Sequence, residues 1–407
     1  MNTISDRSGA KASAKASATS RSVSTDLDRP APLRTRRAHP PRTHPPDPPA
    51  GPGEYGSAID DDAASAHLGR GGDSRLGWND RLERNWHQDA PGRLCGRVSR
   101  LDRGWSTILF DVHDDRRRAR NIGADVAVGD WVVVSDDGER VEIVIPRYSA
   151  FTRRASFEGN RAVAHTIAAN IDTVVLVHSL TSPPNQRRLE RELILAFDSG
   201  AAPVIVLTKS DLVDDVTASV ATVAEVAVGV PVMLASGISG AGVDALRELV
   251  PEGNTMALLG ASGVGKSTLI NALVGDEALR TSEVRENDQR GRHTTTACEL
   301  VPLPGASQGW LIDTPGVRAV SLWSSGTGIE RAFADLFEVS EQCKFRDCKH
   351  EDEPSCAVQA AITAGTLDGR RLDAMKRLVA EEHALEEEQW AWEKTRDRRG
   401  IRKVRPK

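Results

Sequence analysis

Residues 256–267 read MALLGASGVGKS, and this stretch decides the fold of the central part of the chain. The apolar start predicts a buried strand, and the rest matches the phosphate-binding loop pattern G-x-x-x-x-G-K-S/T at every fixed position. Glycine lets the backbone approach phosphate closely, so we expect the N–H groups of the loop to surround phosphate oxygens. The loop consists of Gly260, Ala261, Ser262, Gly263, Val264, Gly265, Lys266 and Ser267, and Thr268 follows in the predicted helix.

Lys266 and Ser267 carry the most specific expectations within this loop. Lys266 is predicted to reach the β- and γ-phosphates, and Ser267 to place its hydroxyl on Mg²⁺. A second motif, Asp313-Thr314-Pro315-Gly316, follows the apolar run Trp310 to Ile312. At the end of a strand Asp313 can hold Mg²⁺, and Gly316 can offer its N–H to the γ-phosphate. The two motifs together predict a magnesium-dependent nucleotide site.

A third motif predicts that the base is guanine. Thr208, Lys209, Ser210 and Asp211 match the pattern N/T-K-x-D and follow the apolar run Pro203 to Leu207. Asp211 can accept hydrogen bonds from N1–H and the exocyclic amine of guanine, whereas adenine would leave the carboxylate unsatisfied. This argues against an ATP-using kinase or ATPase. Lys209 would lay its stem over the base, and Ala235 and Ser236, after another apolar run, could complete the pocket.

The order of the three motifs along the chain is unusual. In ordinary GTPases the phosphate loop comes first, the D-x-x-G motif second and the guanine motif last. Here the guanine motif precedes the loop at residue 260, and the D-x-x-G motif at residue 313 comes last. This order indicates a circular permutation, in which the segment that senses the γ-phosphate leads directly into the C-terminal part of the chain.

Four potential metal ligands lie within fourteen residues after the GTPase motifs. Cys343, Cys348, His350 and Cys356 have the spacing C-x4-C-x-H-x5-C. Three thiolates and one imidazole make a closed tetrahedral set for Zn²⁺, which predicts a structural role. The alternative is three reduced cysteines beside a surface histidine. Few, clustered cysteines in a long chain also favour a reducing compartment.

Composition and patterning divide the chain into four parts. Hydrophobic residues make up 39% and charged residues 27%, as in globular proteins, and no apolar run is long enough for a transmembrane helix. Short alternating runs punctuated by glycine predict a small β-barrel, either an OB-fold or an SH3-like barrel with no nucleic-acid role. The predicted parts are a disordered basic tail (1–80), the OB-like β-barrel (81–150), a circularly permuted α/β P-loop GTPase domain (151–325) and a helical zinc-binding domain with a basic C-terminus (326–407).

The two ends of the chain are basic although its net charge is −5. Residues 1–53 hold nine Lys or Arg and four Asp or Glu, and residues 393–407 hold eight and two. Basic ends on an acidic body favour contact with a polyanion such as nucleic acid. Solvated tails without a partner are the alternative.

Barrel, permuted GTPase motifs and the C-x4-C-x-H-x5-C cluster together resemble the ribosome-assembly GTPases called ribosome small subunit-dependent GTPase A. The resemblance extends from about Gly92 to the C-terminus and also includes Gly291-Arg292-His293-Thr294-Thr295-Thr296 and the residues Val317 and Arg318 after the D-x-x-G motif. It implies a bacterial cytoplasmic enzyme that binds GTP and GDP with Mg²⁺ and holds one structural Zn²⁺. Nothing in the sequence indicates more than a monomer. It also implies a role in late assembly of the small ribosomal subunit, stimulation by that subunit, and contact of barrel and zinc domain with rRNA.

The stretch 291–296 corresponds to a switch segment, in which Thr294, Thr295 or Thr296 should close on Mg²⁺ and the γ-phosphate. Many GTPases have a water-orienting Gln after D-x-x-G, but this chain has Val317, which predicts slow intrinsic hydrolysis. His293 is our hypothesis for the water-positioning residue; a structural or RNA-facing histidine is the alternative. Val317 also keeps open a second function, a GTP-dependent RNA- or ribosome-binding switch with negligible catalysis.

Overall fold

A computed structural model of the chain describes residues 71–112, 115–154, 164–275, 298–305, 309–313 and 327–398. The chain divides into two compact units, Met1–Ile59 and Asp60–Lys407, and all of the described residues belong to the second unit. No helix within these ranges combines the length and the apolar character that crossing a bilayer would need.

Five antiparallel strands form the first part of this unit. They are β1 (Cys95–Asp102), β2 (Trp105–Leu109), β3 (Arg116–Arg120), β4 (Trp131–Val134) and β5 (Val141–Val144). Strand β1 pairs with β2 and β4, β2 with β3, and β4 with β5. A bridge between Arg120 and Arg140 brings the end of β3 to the start of β5. The strands therefore follow one another around a ring in the order 1-2-3-5-4, and apolar residues from the predicted alternating positions fill its interior: Val98, Ile108, Phe110, Val126 and Val141.

A mainly parallel sheet forms the centre of the unit. After the hairpin of β6 (Ala150–Arg154) and β7 (Ala164–Ala169), its strands are β8 (Thr173–Ser179), β9 (Ala202–Thr208), β10 (Val232–Leu234), β11 (Thr255–Gly260), β12 (Glu299–Pro302) and β13 (Trp310–Asp313). The order is β10-β9-β8-β11-β13-β12, and only β12 runs antiparallel to its neighbour. The strands are apolar along most of their length because helices cover both faces.

The barrel and the parallel sheet are continuous with each other. Arg100 of β1 pairs with Glu299 of β12, which joins the two sets of strands into one sheet. The fully buried guanidinium of Arg97 adds a second connection, donating to the carbonyl of Asn170 at 3.1 Å and to Oγ1 of Thr255 at 2.7 Å. Burial lowers the pKa of Arg97, because it disfavours the charged form. The barrel is thus anchored to β11, the strand that leads into the phosphate loop.

The helices around the sheet begin and end where local sequence signals place them. They are α1 (Asp80–Asp89), α2 (Gln186–Ser199), α3 (Thr217–Ala224), α4 (Val243–Glu248) and α5, described over residues 266–275. Helix α2 is the clearest case, since the side chain of Asn185 accepts the N–H of Arg188 at its start. Gly200 ends it in the left-handed conformation, with φ 88°. The bounds of α2 therefore agree with the two local signals, Asn185 at its start and Gly200 at its end.

Four helices make up the C-terminal part. They are α6 (Thr327–Ala332), α7 (Ala334–Ser340), α8 (Ala357–Thr363) and α9 (Gly369–Arg398). Their shared core includes Phe333, Leu336, Leu372 and Leu378, and it takes in Ile194 from α2. Helix α2 is therefore one of the elements against which this part packs.

The predicted tail ends too late. Residues 71–80 belong to the folded unit: Leu76 is fully buried, and the Trp78 ring meets Trp131 edge-on at 4.9 Å. The carbonyl of Arg75 also accepts from the indole N–H of Trp310 at 2.8 Å. The prediction that residues 71–80 are disordered is wrong, because a few large apolar side chains anchor a segment whose average composition is polar.

Candidate nucleotide site and Cys/His cluster

The three predicted nucleotide motifs meet at one edge of the parallel sheet. Gly260 ends β11, Thr208 ends β9 and Asp313 ends β13, and these strands run in the same direction. Ala235 and Ser236 follow β10 at the same edge. Ligands of open α/β sheets bind outside the carboxyl ends of the strands, so the topology assembles one candidate site from segments more than 100 residues apart.

The backbone of the phosphate loop requires glycine at defined points. A Cβ on Gly260 would lie 2.4 Å from the carbonyl oxygen of Val177 in β8, and Gly265 has φ 99°. Helix α5 begins at Lys266, within the last two residues of the loop, which directs its N-terminus and partial positive charge at the space where phosphates would lie. Nζ of Lys266 donates to the carbonyls of Gly260 at 2.8 Å and Ala261 at 2.6 Å. The lysine charge is thus held at the loop, while Ser262, Ser267 and Thr268 are exposed beside it.

The first two residues of the guanine motif are bonded to the phosphate loop. The hydroxyl of Thr208 lies 3.0 Å from the carbonyl oxygen of His178 and also contacts that of Val264. Nζ of Lys209 donates to the carbonyl of Gly263 at 2.9 Å. Thr208 is buried, so its contribution to the site is to hold the two loops together. The motif predicts that Thr208 binds the nucleotide directly, and no sequence motif points to His178.

Asp211 lies in the turn Ser210–Leu212 and its side chain is exposed, as a base-reading carboxylate requires. Hydrogen bonds of the main chain and of one serine hydroxyl hold the neighbouring loop, residues 235–239, beside this turn. Ser210 N–H donates to the carbonyl of Ala235 at 3.3 Å, and the hydroxyl of Ser236 accepts from the N–H groups of Ile238 and Ser239 at 3.2 and 3.1 Å. Ala235 and Ser236 are both buried, so in this structure they shape the loop beside Asp211 and present almost no surface of their own to a base.

Asp313 is in an environment that favours a bound cation. It lies opposite Glu299 in the pairing of β12 with β13. Burial raises the pKa of Asp313 above its ordinary value, the Glu299 carboxylate adds to the rise, and Lys266 opposes it. A divalent ion would relieve the repulsion between the carboxylates, and the oxygen donors of Asp313 and Ser267 are the type that Mg²⁺ prefers. The predicted switch residues His293, Thr294, Thr295 and Gly316 lie outside the described residues.

The Cys/His cluster has the dimensions of a tetrahedral metal site. The ligand atoms of Cys343, Cys348, His350 and Cys356 all lie within 4.8 Å of one another. Sγ of Cys343 lies 3.9 Å from Sγ of Cys356, and Nδ1 of His350 lies 3.6 and 3.5 Å from these two sulfurs. Zn–S and Zn–N bonds of ordinary length predict edges of about 3.8 Å and about 3.6 Å.

The backbone around the cluster is arranged to present its ligands. His350 and Ser355 adopt left-handed conformations, with φ 56° and 64°. Cys356 caps α8 by accepting the N–H of Gln359 at 3.4 Å, and the Gln359 side chain donates to the carbonyl of His350 at 2.7 Å. Such outer hydrogen bonds orient metal ligands, so this donor set fits a closed structural site.

A separate cationic surface lies on β2 and β3 of the barrel, and we call it the arginine face. It consists of Trp105, Arg116, Arg118 and Arg120. Alternate residues of β3 share one side, and Ala119 between them is buried in the barrel. The guanidinium groups of Arg118 and Arg120 lie 5.4 and 4.9 Å from the centre of the Trp105 ring. The face therefore presents an aromatic ring flanked by positive charge.

Comparisons with known proteins agree with this geometry. Two solved structures are similar to the chain, each 26% identical: one titled YjeQ from Thermotoga maritima (TM-score 0.53, covering 71% of this chain and 98% of that one) and one titled YloQ, a circularly permuted GTPase (TM-score 0.52, covering 71% and 95%). The fold and the order of its motifs define this chain as a circularly permuted GTPase.

The particular family follows from the sequence comparisons. Residues 144–323 match the RsgA GTPase family. The small ribosomal subunit biogenesis GTPase RsgA of Streptomyces coelicolor is 41% identical over 345 residues, covering 79% of this chain and 90% of the relative. The protein of the same name from Methanosarcina acetivorans is 39% identical over 317 residues, covering 76% and 85%. The chain belongs to the RsgA GTPase family.

Proposed function

We propose that this GTPase hydrolyses GTP during late assembly of the small ribosomal subunit, and that the subunit stimulates hydrolysis. The observation that carries the chemistry is the meeting of phosphate loop, guanine motif and Asp313 at one sheet edge. The subunit is proposed because relatives 41% and 42% identical are named for its biogenesis. We further propose that the protein acts as a monomer in the cytoplasm.

The proposed nucleotide is GTP with Mg²⁺, and different residues contact its phosphates, its metal ion and its base. The phosphate-loop N–H groups and Lys266 bind the phosphates, Ser267 and Asp313 hold Mg²⁺, and Asp211 reads guanine. Bound Mg²⁺ would neutralise charge that develops on the phosphate oxygens. Thr208 and Lys209 hold the phosphate loop and the guanine motif in one arrangement, so that phosphates and base are bound by a preformed frame.

The barrel is the proposed rRNA-binding element. Its strand order 1-2-3-5-4 supports an OB-fold, in which the face of strands 2 and 3 binds single-stranded nucleic acid. The arginine face lies on these two strands. Unpaired bases stack on aromatic rings and guanidinium planes, while phosphates pair with arginine. Trp105 between Arg118 and Arg120 offers both contacts at once.

Turnover of GTP with purified ribosomal subunits tests this function. We expect small subunits to raise the turnover rate strongly and large subunits to leave it near the basal rate. Trp105→Ala should raise the subunit concentration for half-maximal stimulation about tenfold, since stacking of one base contributes about 1–3 kcal/mol. Each rate is divided by the basal rate of the same variant.

The matched control is Val228→Ala, which removes an exposed apolar side chain outside the barrel. It should leave stimulation unchanged. Equal turnover with small subunits, large subunits and neither would contradict the proposed partner. Normal stimulation of the Trp105 variant would contradict only the assignment of the arginine face.

His293 is the proposed water-positioning residue, because Val317 stands where many GTPases have Gln. We expect His293→Ala to lower subunit-stimulated turnover about 100-fold, within the range typical of general acid–base groups. GDP affinity should stay the same. His87→Ala, a change at an exposed histidine of α1, is the control. Unchanged stimulated turnover would leave His293 as a structural or RNA-facing residue.

A GTP-dependent binding switch is the second candidate function. Val317 favours it, because this side chain cannot orient water. In that case GTP would lock a conformation for docking, and small subunits would bind without raising turnover. The turnover measurement with subunits separates the two functions.

A further inference from the structure

A buried contact between a histidine and a carboxylate lies beside the guanine motif and has no part in the chemistry above. Nε2 of His178, near the end of β8, lies 2.8 Å from Oε2 of Glu192 in α2. The two residues are only 6% and 7% exposed. Nε of Arg188 donates to the other Glu192 oxygen at 2.7 Å. Burial raises the pKa of Glu192, but His178 and Arg188 outweigh it and hold the pKa below its ordinary value, so the carboxylate is charged.

The main chain of His178 reaches the nucleotide site. Its carbonyl oxygen lies 3.0 Å from the hydroxyl of Thr208, and the same hydroxyl contacts the carbonyl of Val264 in the phosphate loop. The side chain of His178 therefore binds α2 while its backbone supports the contact between guanine motif and phosphate loop. This chain of contacts joins α2 to both loops that would bind the nucleotide.

Other residues of α2 bind the C-terminal helices. Glu190 forms an ion pair with Arg377 of α9, and Arg191 forms one with Glu381 at 2.8 Å. The carboxylate of Asp198 accepts the N–H of Gly328 in α6 at 2.7 Å. Helix α2 is thus held by charged contacts both to the nucleotide edge of the sheet and to the part of the chain that carries the Cys/His cluster.

We propose that His178 and Glu192 are positioning residues for the nucleotide site, through which α2 transmits the docking of α6–α9 to the phosphate loop. This inference rests on the proposed nucleotide site. A charge left alone in the core is strongly unfavourable, so the pair holds α2 and β8 at one separation. A displacement of α2 would displace the end of β8. The contacts of Thr208 with His178 and Val264 would transmit this displacement to the phosphate loop.

The affinity of the full chain for a fluorescent GDP, measured in a double-mutant cycle, tests the proposal. We expect Glu192→Gln to weaken binding about tenfold and Arg377→Gln about threefold, within the range of coupled contacts. The double variant should bind like Glu192→Gln alone, because the connection is already broken. Arg187→Gln, an exposed change on the same helix, should bind like the wild type.

Additive losses in the double variant, or unchanged affinity of Glu192→Gln, would overturn the proposal. Thermal unfolding of each variant checks that it folds. If Glu192→Gln does not fold, Arg188→Gln replaces it in the cycle, because this change removes a half-exposed partner of the same carboxylate. Failure of the wild-type chain to bind GDP would instead refute the proposed nucleotide site. Normal GDP binding by every variant would refute only the positioning role of His178 and Glu192.

Discussion

Asp211→Asn will transfer the base preference of this GTPase from guanine to xanthine. The Asp211 carboxylate would accept two hydrogen bonds from guanine, whereas an Asn amide would place a donor opposite the exocyclic amine. Sites that hydrogen-bond a substrate group discriminate strongly when the match is lost. We expect GTP affinity to fall about 1,000-fold and xanthosine triphosphate to bind nearly as well as GTP does to the wild type. Competition against fluorescent GDP measures both.

The control for this substitution is Asp214→Asn, an exposed carboxylate three residues further along the same loop. It should leave the preference for GTP unchanged. Asp211 is exposed, so we expect its replacement to leave the melting temperature within a few degrees of the wild type. A variant that folds and still prefers GTP would contradict the guanine assignment of Thr208 to Asp211.

Cys343→Ser will remove the metal and unfold the loop around it. We propose that the cluster holds one structural Zn²⁺, since the three distances among the ligand atoms of Cys343, His350 and Cys356 are close to the edges of a zinc tetrahedron. Few apolar side chains stabilise residues 343–356, where Phe345 is exposed. Loss of a structural metal is among the largest effects of single substitutions, so we expect the free energy of unfolding to fall by more than about 4 kcal/mol.

Metal analysis of the purified chain should find about one zinc per molecule, and treatment with a strong chelator should reproduce the effect of Cys343→Ser. Cys298→Ser is the control. Cys298 lies outside the cluster, so this variant should retain the metal. A stable, metal-free wild-type protein would contradict the proposal. If the cluster supports the docking of α6–α9 on α2, metal loss should also weaken GDP binding.

Much of the candidate site could be predicted because its signals are local. The phosphate loop needs Gly260 and Gly265 at fixed spacing before Lys266, and the C-x4-C-x-H-x5-C spacing brings four ligands together over a short distance. Asn185 and Gly200 likewise indicate the start and the end of helix α2. In each case the backbone conformation and the chemistry depend on residues within a few positions of one another.

The missed features depend on contacts between distant segments. Residues 71–80 looked like tail, yet Trp78 packs on Trp131. No sequence motif marks Arg97, yet its charge is buried against Asn170 and Thr255. Such partners are 50 to 160 positions away in the chain, and no periodic pattern reveals which of them will meet.

The sequence by itself determined the class of chemistry: a phosphate loop, a guanine motif, a D-x-x-G motif in permuted order and a metal-ligand set. Each is a short segment whose spacing dictates its conformation. Only the tertiary structure decided that Thr208 connects His178 to the phosphate loop, and that α2 lies between this site and the C-terminal helices. These roles arise from burial, because a charged group or hydroxyl removed from water needs a hydrogen-bonding partner. The fold determines which distant residue can provide it.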